Sequence, residues 1–96
     1  MRYRVVYSRR AQRNLDTIYD RVAQDSGEPE IARRLIERIL DACDSLARFP
    51  QRFAIYAYAS RWRMMPIGNY LVFYRLADAA VLIGHVRHAA RKPFSS

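Results

Sequence analysis

Two histidines, His85 and His88, stand three residues apart in the run V-L-I-G-H-V-R-H-A-A-R, with Arg87 between them and Arg91 just beyond. Imidazole is the side chain best suited to moving protons near neutral pH. Guanidinium is best suited to gripping a phosphate or carboxylate through two N–H groups at once. Metal-free cleavage of RNA needs a base for the 2′-hydroxyl, an acid for the leaving oxygen and cations for the charged transition state. His85 or His88 could move the protons, and Arg61, Arg63, Arg75, Arg87 or Arg91 could hold the charge. Arginine itself is a poor proton carrier, and the one lysine, Lys92, lies close to the end. If the chain cuts RNA, its working set is therefore His88, Arg63 and Arg87. If it does not, the same groups bind a target.

Spacing separates the two rings. Three residues along a regular strand put them on opposite faces. His85 sits in an apolar stretch and reads as a core residue, whereas His88, beside Arg87 and Arg91, is the better functional candidate. No carboxylate or thiolate lies in sequence reach of either, so no metal site is expected. Glycines at 27, 68 and 84 are too scattered for a phosphate-cradling loop, and no cofactor is expected. Asp16, Asp20, Glu37, Asp41 and Asp44 fall beside arginines on helical stretches and read as solvated ion-pairing groups.

The charge is one-sided. From Ser45 onward there are eight basic residues and one acid, Asp78, whereas residues 1–44 hold nine basics and eight acids. The formal net charge of +8 thus belongs mainly to one half of the chain, and such a field attracts phosphates or an acidic partner. Ninety-six residues, half of them hydrophobic, fit one domain over 1–96 with one modest core. A single cysteine, Cys43, allows no internal disulfide. The opening residues carry charge without an apolar signal segment, and no run is long enough to span a membrane. A cytoplasmic location is expected.

The elements that must position these groups are legible from pattern. Residues 3–8 are β-branched and aromatic and read as a first strand. Ser8 suits a cap for a helix starting near Arg9, and Ala11, Leu15, Ile18, Tyr19, Val22 and Ala23 form its apolar stripe, with Arg10, Arg13, Asp20 and Arg21 mostly facing water. Ser26-Gly27 ends it. Glu28-Pro29 opens a second helix, whose apolar face runs from Ala32 to Phe49 before Pro50 stops it. The connection is short enough to force an antiparallel hairpin. Phe53, Ile55, Tyr56 and Tyr58 mark an irregular approach to strands at Arg61–Met65, Tyr70–Leu76 and Ala80–Arg87, with turns at Gly68-Asn69 and Ala77–Ala79. The tail Lys92–Ser96 is expected to fray. The order β-α-α-β-β-β predicts an α+β fold, with the N-terminal helical hairpin on one face of a small antiparallel-rich sheet whose other face is free and basic. The first strand must join that sheet non-locally.

With this order, Val6-Tyr7-Ser8 followed by Ala11, Leu15 and Ile18, then Leu46 to Phe49-Pro50, then Arg63 and Gly68-Asn69-Tyr70 with Tyr74, and finally Val86, His88, Ala90 and Arg91, the chain resembles the ParE branch of the RelE/ParE toxin superfamily. The resemblance implies a toxin of a type II toxin–antitoxin system, neutralised by a cognate antitoxin whose C-terminal segment wraps it. It further implies inhibition of DNA gyrase by binding, without enzymatic activity. RelE-type relatives instead cleave mRNA on the ribosome, with basic residues on the sheet and a C-terminal tyrosine or histidine. This chain lacks their lysine cluster and ends Ala-Ala-Arg-Lys-Pro-Phe before its last two serines, with no tyrosine. On this reading Arg63, Arg87, His88 and Arg91 contact the target. Interface anchors are enriched in Trp, Tyr and Arg, so Tyr56, Tyr58, Arg61 and Trp62 are the expected antitoxin contacts.

Overall fold

The computed structural model describes residues 2–93, and the expected fraying of the last residues falls largely on 94–96, outside that range. Strand β1 (Arg4–Tyr7) leads into helix α1 (Arg9–Ser26) through Ser8. The extended Ser8 accepts from the Ala11 amide at 3.0 Å, satisfying one of the donors that a helix start leaves open. Gly27, at φ 70°, closes the helix in the left-handed region that glycine occupies without steric cost, its N–H donating to Ala23. Pro29 then begins helix α2 (Pro29–Ser45), which doubles back along α1.

Helix α2 stops four residues short of the apolar pattern's end. The amides of Leu46 and Ala47 donate to carbonyls three residues back, and Phe49 turns into the left-handed region at φ 52°. A residue preceding proline is barred from the helical region, so Phe49 cannot continue the helix and ends up 79% exposed. Pro50–Arg52 then form a single 3-10 turn.

The sheet contains β1, β2 (Arg63–Ile67), β3 (Tyr70–Ala77) and β4 (Ala80–His88) in the order β1-β4-β3-β2. Strands β2, β3 and β4 are successive antiparallel neighbours, joined by turns with positive φ at Gly68 and Asp78. Strand β1 joins non-locally and parallel to β4, from Arg4 opposite Ala80 to Tyr7 opposite Ile83. The core lies between hairpin and sheet, where Ile18, Ile39, Cys43 and Leu46 meet Met65, Val72, Tyr74, Val81 and Ile83. Burial pushes the Cys43 thiol up to about 11, with the Tyr7 hydroxyl bonded to it.

The second face of the sheet is not free. Strand β2 begins two residues later than the pattern predicts, because residues 54–62 form a loop whose ends meet: the Tyr56 amide donates to Trp62 and the Met64 amide to Ala54. That loop folds back over the sheet. Tyr56 sets its ring edge-on to Phe73 at 4.8 Å, and Trp62 lies on Gly84 so closely that a Cβ there would fall 2.1 Å from the indole. Gly84 is also the extra residue of a bulge, since Phe73 pairs with His85 while Tyr74 pairs with Ile83. The bare basic sheet face expected from the sequence is therefore replaced by a layer of aromatic side chains.

Candidate functional site

Strand β1 ends opposite Ile83, so β4 runs on with one edge uncovered by any strand. Helix α1 takes over. The Ser8 amide donates to the Ile83 carbonyl at 2.9 Å and its hydroxyl to the Gly84 carbonyl at 2.6 Å. Two turns later, the Asn14 Oδ1 accepts from the Val86 amide at 3.0 Å. Side chain and helix cap thus substitute for a missing strand. They hold α1 beside the end of β4, with a groove of about 790 Å³ between them.

One wall of the groove is a helical stripe that includes Asn14, Thr17, Arg21 and Asp25; the other is Tyr70 with Val86 to His88 and the Ala90-Arg91 turn. His88 is exposed and meets the edge of Tyr70 at 5.2 Å, directly across the β3–β4 ladder. Its Nδ1 accepts from the Ala90 amide at 3.0 Å, so the neutral ring carries its proton on Nε2. Arg87 is half-buried and donates to the Lys92 carbonyl at 2.7 Å. Burial, and then the guanidiniums of Arg91 and Arg10, hold the Arg87 pKa below its usual range. Three arginines line the groove against one carboxylate, Asp25.

Of the four residues predicted to contact a target, the fold brings Arg87, His88 and Arg91 into this groove and places Arg63 elsewhere. Arg63 opens the edge strand at the far side of the sheet, where its guanidinium donates to the carbonyls of Gln51 and Phe53 at 3.2 and 2.8 Å. With the Tyr74 hydroxyl donating to Pro50 at 2.6 Å, it fixes the turn after α2. The set His88, Arg63 and Arg87 is therefore not assembled at one point. The four residues predicted for the antitoxin cluster on the covering loop. Tyr56 and Trp62 are half-buried against the sheet, while Tyr58 and Arg61 are exposed above them, Arg61 over the indole at 5.4 Å.

His85 is 1% exposed, stacked on Phe73 at 4.7 Å with Trp62 edge-on at 5.4 Å. Burial first, then the charges of Arg10 and Arg87, lower its pKa to about 4, so it stays neutral and inside the fold. Among the described residues, no cluster of three or more His, Cys, Asp or Glu is placed to hold a metal ion. The groove residues to which sequence reading assigns no binding role are Asn14, Thr17, Arg21 and Tyr70. Arg10, Asn14, Thr17 and Arg21 follow one another at helical spacing, a polar stripe beside the apolar one, and that periodicity was the available signal.

A two-helix hairpin on a sheet of order β1-β4-β3-β2 is the architecture of a known class of small toxins. The chain is similar in fold to a solved chain of the chromosomal ParDE toxin–antitoxin system from P. aeruginosa, with a TM-score of 0.81 at 19% identity over 90% of this chain and 95% of that one. It is also similar to a chain of the toxin–antitoxin complex RelBE2 from Mycobacterium tuberculosis, with a TM-score of 0.63 at 24% identity, covering 95% of each. In sequence it is 38% identical to Toxin RelE2 of Caulobacter vibrioides over 87 residues, which span 91% of this chain and 96% of the relative. Residues 5–93 match the family model described as ParE toxin of type II toxin–antitoxin system, parDE. The chain belongs to the ParE toxin family.

Proposed function

We propose that this toxin, held inactive by a cognate antitoxin, blocks replication by binding DNA gyrase through the α1–β4 groove, without catalysing a reaction of its own. Such a target lies in the cytoplasm. The observation that carries the reading is the state of His88. A neutral imidazole that accepts at Nδ1 presents Nε2–H to the groove, which donates a hydrogen bond but cannot take a proton from a 2′-hydroxyl. His85 is buried and Arg63 stands at the opposite edge of the sheet, so of the nuclease set only Arg87 joins His88 in the groove, and that arginine supplies no second proton carrier. What remains is a cationic recognition surface. The antitoxin is expected to take the other cluster, where Tyr58 and Arg61 project from the loop anchored by Tyr56 and Trp62.

The rival reading is ribosome-dependent mRNA cleavage, in which Tyr70, Arg87 and His88 in one groove would be the reacting groups. Expression of the toxin alone, followed by mapping of RNA 5′ ends and DNA breaks, separates the two. Broken DNA with intact messages is the outcome expected here. Messages cut in phase with codons would support the rival.

A further inference from the structure

We infer that the α1–β4 groove takes a single-stranded stretch of nucleic-acid backbone, its phosphates lying between α1 and the end of β4 and a base against Tyr70 and His88. This deepens the reading above and rests on it for the choice of site: the toxin would touch nucleic acid held by its target as well as the target protein. Asn14, Thr17 and Arg21 repeat along one side of α1, so hydrogen-bonding side chains recur about every 5.4 Å along the rim. Asn14 uses its Oδ1 on the Val86 amide, which leaves its NH2 as the group available to the groove. Across from it, His88 offers Nε2–H and Arg91 a guanidinium. Apart from Asp25 at one end, the groove's charged lining consists of donors.

The cations are also crowded. Arg21, Arg87 and Arg91 share one groove, and burial first, then the charge of Arg91, disfavours the charged form of Arg87. An anion of high charge density bound among cations that share one groove is favoured by their summed charge. A nucleic-acid strand carries such density. An acidic peptide would also meet the guanidiniums, but it would leave the Tyr70–His88 edge-to-face pair without a role. Bases stack on rings of this kind.

Anisotropy titrations of purified toxin against a short labelled single-stranded DNA, an RNA of the same sequence and a polyglutamate peptide, each over a range of KCl, test the inference. Contact with three phosphates predicts a slope of log K against log salt of about −2, at roughly 0.7 per phosphate. Arg21→Ala and Arg91→Ala, both at exposed positions, should each flatten that slope by about 0.7. Tyr70→Leu should weaken binding about tenfold with the slope unchanged, a stacking effect. Arg34→Ala on α2, outside the groove, should change neither. Absence of oligonucleotide binding at low salt overturns the inference. So does a slope indifferent to Arg21 and Arg91, or polyglutamate binding as tightly as DNA while Tyr70→Leu has no effect. The two nucleic acids separate this inference from the gyrase reading: preference for DNA supports both, whereas groove-dependent preference for RNA keeps the ligand and removes gyrase. Wild-type toxin that inhibits gyrase yet binds neither oligonucleotide would overturn the inference alone.

Discussion

His85 and His88 differ by three positions and by nearly everything else. One is enclosed between Phe73 and Trp62, the other stands in solvent with its proton fixed on Nε2 by a backbone amide. For His85 the consequence is a pH dependence of folding. An ordinary imidazole titrates near 6.5, and this one near 4 in the native state. Above 6.5 the ring is neutral in both states and costs nothing. Between those values the unfolded chain takes up a proton that the native fold refuses, so stability falls as pH drops through the window, by up to roughly 3 kcal/mol. Denaturant titrations at pH 7 and pH 5 should differ by about 2 kcal/mol of that total, and His85→Phe should remove most of the pH 5 penalty. Arg63 belongs to folding as well. Arg63→Ala leaves the carbonyls of Gln51 and Phe53 without its guanidinium, and a loss of about 1.5–3 kcal/mol is expected in the same titration, with target inhibition retained at temperatures where the variant is folded. Residue type alone could mark both side chains as interesting. It could not assign them, because a guanidinium that ties a loop and one that faces a groove are the same letter, and the ties reach 10 and 12 residues back along the chain.

Elements with local causes are legible in the sequence. Ser8 as a cap, Gly27 as a helix stop, the Pro29 start and the Gly68-Asn69 turn all act within a few residues, and each appears where the pattern places it. The end of α2 was misplaced because an apolar face continues through Phe49, while the bar on helical geometry before Pro50 acts on the backbone. The loop over the sheet was less accessible still. It depends on Trp62 fitting where Gly84 has no side chain, a contact between distant parts of the chain that no periodicity carries. Gly84→Ala tests it. With the new Cβ 2.1 Å from the indole, Trp62 must leave its seat, and a destabilisation of about 1–3 kcal/mol is expected together with a red-shifted tryptophan emission as the ring meets water. Unchanged emission and stability would mean that the loop does not rest on the sheet.

Across the whole molecule, charge and topology converge on one end. The parallel strand β1 is short, α1 has to finish its pairing with β4, and the gap between them opens where Arg87, His88 and Arg91 emerge. Of the eight basic residues from Ser45 onward, Arg87 and Arg91 line this groove and Arg21 joins them from α1, while residues 54–62 fold over the outer sheet face. Arginine-rich binding with no proton relay is what distinguishes this account from a nuclease. The most direct test is a reconstituted supercoiling reaction with purified toxin, gyrase, ATP and relaxed plasmid, scored for both supercoiled product and cleaved DNA. Inhibition accompanied by accumulating cleaved plasmid, weakened about tenfold or more in Arg91→Ala, is predicted from the loss of a charged contact. Supercoiling that proceeds undisturbed at toxin concentrations which halt growth, with ribosome-bound mRNA cut instead, would contradict it.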